Sequence, residues 1–345
     1  MIWTRRKIVL SATGAVAGIA AATGLSLALS STTAPKAVPK PSLTPIAAPA
    51  LHRQAPTRLV SPFTGEPVKR LGPVLAVKID NIVYARPQTG INDADIVYVL
   101  PVEGGLSRFL AIFSSHIPPV IGPVRSARDD DLQLLRQFGR PAFAWSGAQP
   151  QLTRVVERAR IVDVGADVAG GYYRDNNRIA PYNLYANTRT LLAEAKGASK
   201  AHNIGFKFGP PDRGGRRTSS QSVSYPAASF RFTWSARRGR WLVWMDGARA
   251  ETTERQQMSA ATVVIQRTVV FRSHFLEYGK KPPYAESIGH GTAIVLRNGK
   301  AYQANWSRPT QDDGTTFTTR SGQPMRFASG PVWIVLVGNR AAESG

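Results

Sequence analysis

The chain has 345 residues, 43% of them hydrophobic and 19% charged, and its 44 Lys and Arg against 22 Asp and Glu give a formal net charge of +22. It contains no cysteine, which excludes disulfides, thiolate chemistry and a lipid-anchored cysteine, so the fold must hold together through its core. Seven basic and no acidic residues fall in the first sixty positions, leaving +15 on the remainder. No zinc-finger spacing, RNP motif or basic helix-turn-helix accompanies that charge, and nucleic acid is not the expected partner.

Met1-Ile2-Trp3-Thr4-Arg5-Arg6-Lys7 is followed by an uncharged run from Ile8 to Leu29. A basic head before a long apolar run has the form of an export signal or N-terminal membrane anchor, assigned here to residues 1–30. Thr4-Arg5-Arg6-Lys7-Ile8-Val9 is similar to a twin-arginine export signal. Residues 31–60 are rich in Pro, Ala, Ser and Thr and read as a disordered tether, because they hold too little apolar area to offset ordering entropy. The expected location is extracytoplasmic, either anchored to the bacterial plasma membrane or secreted.

Val74 to Ile79 reads as a strand ending at Asp80-Asn81, Ile96 to Leu100 as a buried strand, and Leu106 to Phe113 as a third after the Gly104-Gly105 turn. The period then changes to that of a helix through Leu132, Leu134, Leu135 and Phe138, with Ser126 as its expected cap, three aspartates in its first turn and Gly139 as its stop. Ala142 to Trp145 and Ile161 to Val164 are expected strands, and Pro150 to Arg160 and Thr188 to Ala198 expected helices. Residues 209–222, with Pro210-Pro211 and Gly214-Gly215, form the clearest break and read as a linker. Beyond it strands predominate: Phe230 to Trp234, Trp241 to Trp244, Thr262 to Gln266, Gly291 to Leu296 and Val332 to Val337, with a hairpin turn at Arg297-Asn298-Gly299-Lys300. The expected class is α+β: an α/β domain over 61–208, layered and with mixed strand directions, and a mainly β domain over 223–345. No phosphate-binding glycine loop or dinucleotide fingerprint occurs, and no cofactor or metal is expected.

Several ordered blocks carry a family resemblance: Ser61-Pro62-Phe63-Thr64-Gly65-Glu66-Pro67, Val77-Lys78-Ile79-Asp80-Asn81, Ala85-Arg86-Pro87-Gln88-Thr89-Gly90, Ala94-Asp95-Ile96-Val97-Tyr98, Val102-Glu103-Gly104-Gly105-Leu106-Ser107-Arg108-Phe109, Ile121-Gly122-Pro123-Val124-Arg125-Ser126-Ala127-Arg128-Asp129 and Ala180-Pro181-Tyr182-Asn183-Leu184-Tyr185. On these blocks the chain resembles the YerB-like family of exported bacterial lipoproteins, whose biochemical role is unassigned. Looser matches continue through Val264-Ile265-Gln266, Trp306, Phe317 and Gly330-Pro331-Val332-Trp333-Ile334. The resemblance implies a two-part α/β and β architecture outside the membrane, of layered β/β/α sandwich type with two sheet layers and a helical layer. One departure is the missing lipobox cysteine, so either the apolar leader replaces a lipid anchor or the product is released.

Arg108, Arg125 and Arg128 are the leading ligand-binding candidates. Guanidinium forks suit carboxylate or phosphate, and two of them lie near a helix start. Tyr182 and Asn183, with Tyr185, are candidates to line the same cleft. The competing structural assignment pairs the arginines internally with Asp80, Asp95, Glu103 or Asp129 and fixes the strand ends. Asp80, Asp95 and Glu103 could hold a divalent cation but lack a regular ligand spacing. Asp80 and Glu103 are also weak catalytic candidates, as an acid/base pair acting on an envelope glycan. His116, His202, His274 and His290 form no metal spacing, and Trp234, Trp241, Trp244, Trp306 and Trp333 fit sheet packing better than a sugar platform. The leading reading is a non-enzymatic envelope binding or assembly protein that recognises an anionic wall component. A glycan hydrolase or transferase and a structural partner of another envelope protein are the alternatives.

Overall fold

The computed structural model describes residues 58–276, 279–339 and 343–344. The expected signal and nearly all of the expected tether lie outside them. Three adjoining strands form the centre of the fold: β1 (Leu75–Asp80), β2 (Ile96–Pro101) and β3 (Ser107–Phe113), each buried on both faces, as their unbroken apolar runs require. They are followed by β4 (Val120–Ile121), helix α1 (Asp129–Leu135), β5 (Ala142–Ala144), helix α2 (Pro150–Glu157), β6 (Val162–Asp163), β7 (Tyr172–Arg174), β8 (Leu184–Asn187) and helix α3 (Thr188–Glu194). Beyond Phe208 the described residues form strands and turns without a helix. The class is α+β, with the helices in the N-terminal part.

One mixed sheet runs through both parts. Its order among the described residues is Arg216–Arg217, Lys300–Arg308, Gly289–Arg297, Thr262–Thr268, Val332–Gly338, β2, β3, β1, β5 and β6, with Thr316–Thr319 branching from Lys300–Arg308. Strand Val332–Gly338 lies parallel to both Thr262–Thr268 and β2, so a strand from the C-terminal part is hydrogen-bonded to the N-terminal sheet. A second sheet, built on Ser220–Tyr225, Ala228–Ser235 and Arg240–Met245, covers one face of the first. Between the sheets pack Val77, Val97, Phe109, Phe230, Phe232, Trp241 and Trp333. On the opposite face Ala76, Tyr98, Leu110 and Ile112 meet Leu134 of α1, Phe138, and Leu152 and Val156 of α2. The order of layers is sheet, sheet, helices.

Local chemistry explains where elements stop. Helix α1 begins at Asp129 with Arg128 in the cap position, in place of the expected Ser126. The backbone amides of Arg125 and Ala127 are drawn to Lys78 O and Gly147 O, which keeps that stretch extended. The Asp131 carboxylate then accepts the Arg128 amide at 2.7 Å. Helix α1 passes into a 3-10 turn, Arg136–Phe138, that Gly139 closes at φ 75°. Helices α2 and α3 end three and four residues short of the expected limits, at Glu157 and Glu194. Asn298 and Gly299, at φ 49° and 69°, make the tight turn between Gly289–Arg297 and Lys300–Arg308, as the Asn-Gly pair predicts. Arg216–Arg217 and Ser220–Tyr225, in and after the expected linker, are strands.

Candidate functional site

The alternation of β1 and β3 builds the site. Side chains two apart share a face, so Lys78 and Asp80 follow Ala76 on the helix-facing side of β1, and Arg108 precedes Leu110 and Ile112 on the same side of β3. Asp80 and Arg108 are register partners at the end of the strand pair. The following segment lies alongside: Asp80 N donates to Pro123 O at 3.0 Å and Arg125 N to Lys78 O at 2.9 Å, placing Arg125 and Arg128 over the same strand ends. Glu103 arrives on a turn whose Gly104 and Gly105 sit at φ 70° and 73°. A Cβ on Gly105 would stand 2.6 Å from Pro226, so the turn requires glycine.

These elements enclose a cavity of about 190 Å³ lined by Asp80, Glu103, Arg108, Arg125, Arg128 and Tyr182, with Ile82, Val102, Leu106 and Ser107 between them. Arg125 Nε donates to Asp80 Oδ2 at 2.7 Å, and its guanidinium carbon lies 5.6 Å from the centre of the Tyr182 ring. Tyr182 in turn stacks on Tyr84. Arg128 holds Glu103 by a two-pronged contact, Nε to Oε1 at 2.7 Å and Nη2 to Oε2 at 3.1 Å. Arg108 differs from both. It is 9% exposed, makes no ion pair among the described residues, and donates from Nη1 to Ser126 O at 3.4 Å.

The electrostatics follow from this pairing. Burial, reinforced by Arg128, lowers the Arg108 pKa to about 10, with Asp80 and Glu103 offsetting part of the effect. Arg108 is therefore a cation at neutral pH, held at a cost. Burial alone would raise the Glu103 carboxyl, but the hydrogen bond and charge of Arg128, with the charge of Arg108, hold it below its ordinary range. Under the site, Lys78 and Asp131 form a fully buried ion pair at 2.6 Å that ties β1 to α1. Asp130, completely buried beside Asp131, is raised by burial and by that neighbouring charge.

Other sequence candidates lie elsewhere. Asn183 is buried, and its amide is consumed by Arg174 Nη1 at 2.8 Å and by the carbonyls of Asp175 and Arg178 at 3.0 and 3.2 Å, so it anchors a loop beside Tyr182. Asp95 Oδ2 accepts the amides of Ser114 and Ser115 at 2.6 and 2.9 Å, and Asp129 accepts Ser273 Oγ at 2.6 Å; neither pairs with the three arginines. Tyr185 stacks on Tyr173 and carries Arg178 over its ring. Asp80, Asp95 and Glu103 do not converge, and the described residues hold no group of three His, Asp or Glu positioned for a metal. Sequence reasoning missed Ile82, Val102, Leu106 and Ser107 as lining residues; the strand period that places Arg108 also places its flanking turns, but not which of them close the cavity.

Two family models match the chain, described as the N-terminal and C-terminal domains of a protein of unknown function (DUF3048), over residues 63–202 and 221–334. A curated relative, "Putative lipoprotein YerB" of Bacillus subtilis (strain 168), is 28% identical over 317 residues, spanning 83% of this chain and 88% of its own. The chain belongs to the YerB-like family. The crystal structure of Bacillus subtilis YerB superposes with a TM-score of 0.71 at 22% identity, over 84% of this chain and all of that one, which shows the shared fold. This YerB-like family is one of exported, extracytoplasmic proteins of unknown function, and the lipoprotein name of the relative is consistent with membrane association. All six lining residues that carry charge or phenol lie within the first matched segment.

Proposed function

We propose that this YerB-like protein is an envelope binding protein that docks an acidic group of a cell-wall polymer, a carboxylate or a phosphate, against Arg108 with Arg125 beside it. The supporting observation is Arg108 itself: a guanidinium nearly removed from water, facing a cavity, with one long hydrogen bond and no carboxylate partner. A buried cation without a counter-ion is unfavourable, and an anion entering the cavity would supply that counter-ion together with acceptors for the spare donors. Arg128 and Asp80–Arg125 act as the rigid frame, since their contacts are short and largely shielded from solvent.

The hydrolase or transferase alternative fits this geometry less well. Both carboxylates are engaged by arginines, and Glu103 is held below the ordinary carboxyl range, the opposite of what a general acid near neutral pH requires. We also infer export by the twin-arginine route from Arg5-Arg6. Replacing both by lysine is expected to retain the protein inside the cell, and unaltered export would reject that route.

Binding to isolated wall fractions tests the site. Arg108→Gln removes the cation at the loss of one long hydrogen bond, and Arg125→Ala leaves Asp80 still accepting the amides of Asn81 and Ile82 at 2.8 and 3.2 Å, so both variants should keep the fold. Each is expected to weaken sedimentation with the wall at least tenfold, more steeply for Arg108→Gln. Unchanged binding by folded Arg108→Gln would remove the proposed site.

A further inference from the structure

On the second sheet, four arginines converge on a pocket of about 420 Å³ lined by Arg238, Arg240, Arg249 and Arg255 together with neutral Asn92, Gln256, Gln257 and Ser259. No carboxylate lines it. Two carboxylates outside the lining contact its arginines: Glu66 stands 3.6 Å from Arg240 Nη2, and Glu251 3.3 Å from Arg249 Nη2. Glu254, on the adjoining turn, is turned away onto Gly90 N at 3.0 Å and Thr253 Oγ1 at 3.3 Å. Four cations facing two carboxylates leave an unbalanced charge of about +2 in a concave site, where fields are focused. Arg238 and Arg255 have no ion-pair partner among the described residues.

The backbone adds an independent observation. Arg255 closes the turn in which Arg255 N donates to Thr252 O and Thr252 N to Gln256 O, both at 2.9 Å, and it does so at φ 58°. That is a left-handed position where glycine is the unstrained choice and a long side chain is strained. An arginine held there adds a fourth guanidinium to the lining, where an entering anion would meet Arg238 and Arg255 without competing carboxylates in contact with them.

We propose that this pocket is a second anion site, separate from the Arg108 cavity, for a ligand carrying two or more closely spaced phosphate charges, such as a diphosphate or a short phosphate chain. A single carboxylate would neutralise one of the two guanidiniums that lack a carboxylate contact, whereas adjacent phosphates can offer an acceptor pair to each. Calorimetry with inorganic triphosphate, orthophosphate and acetate reads the site directly. Triphosphate is expected to bind at least tenfold more tightly than orthophosphate or acetate, with an affinity that falls as salt rises. The Arg238→Ala/Arg255→Gly double variant should lose at least tenfold of the triphosphate affinity. Its thermal midpoint should hold or rise, because glycine relieves the turn, so lost binding cannot be ascribed to unfolding. In an Arg108→Gln background, where the first cavity is silenced, triphosphate should still bind and the Arg238→Ala/Arg255→Gly pair should still lower its affinity at least tenfold. Absence of triphosphate binding by the unaltered protein, equal affinity in the double variant, or loss confined to Arg108→Gln would each overturn the proposal.

Discussion

Arg108 and Asp95 are both buried ionisable groups with incomplete partners, yet they do different things. Arg108 faces a cavity that an anion can enter; Asp95 Oδ1 is enclosed without a hydrogen-bond partner while Oδ2 takes two backbone amides. Burial raises the Asp95 pKa to about 6, with the Ser115 and Ser114 amides opposing it. Because the folded state then holds a proton that the unfolded chain has released, Asp95 makes stability fall as pH rises from about 4 to about 6. Asp95→Asn keeps an acceptor for the two serine amides and removes the charge. It is expected to match the unaltered protein near pH 4 and to be more stable by roughly 2–3 kcal/mol above pH 7 in urea titrations; a pH-independent difference would refute this account of Asp95. At this scale the sequence identifies which residues are chemically capable, because arginines near a helix start and carboxylates after strands are visible as types. It does not show pairing. Asp80 and Glu103 lie 45 and 25 residues from the arginines they meet, and only the pairing of the Pro123–Arg125 segment with the end of β1 and the Glu103 turn brings them together.

The elements that place the site are β1, α1 and the Glu103–Gly105 turn. Lys78, in the middle of an apolar strand, reads locally as a mispatterned residue; its explanation is Asp131, 53 residues on, at 2.6 Å in the dry layer between sheet and helix. Lys78→Ala would strand the Asp131 charge and should cost about 3–5 kcal/mol by chemical denaturation. A loss below 1 kcal/mol would mean that the pair does not join β1 to α1. Gly105→Ala places a methyl against Pro226 at a positive φ and is expected to cost about 1–3 kcal/mol and to weaken wall binding, since Glu103 can no longer hold Arg128 in place. Full stability and full binding in that variant would contradict the role given to the turn. Strands β1, β2 and β3 and the strand Val332–Gly338 are legible within about a residue because their apolar runs are unbroken. Short pieces such as β7, β8 and Arg216–Arg217 are not, because two to four residues carry too little period to separate a strand from a loop.

Across the whole molecule, the decisive connection is the parallel pairing of β2 with Val332–Gly338, which makes one sheet of strands drawn from both parts of the sequence. No local pattern announces such a pairing. Cutting it would expose the apolar edge of β2, so unfolding followed by tryptophan fluorescence and by far-ultraviolet dichroism is expected to show one coincident transition; two separated transitions would mean that the parts unfold independently. The positive charge is likewise not spread evenly: the Arg108 cavity sets three guanidiniums against two carboxylates, which contact Arg125 and Arg128 and leave Arg108 without an ion pair among the described residues. The most direct measurement is a titration of the protein with inorganic phosphate, followed through the assigned side-chain Nε–H resonance of Arg108 in ¹⁵N-resolved spectra. The account predicts a saturable shift of that resonance, accompanied by Arg125 and abolished for Arg125 in Arg108→Gln. A resonance that stays fixed across the titration would contradict anion recognition at Arg108.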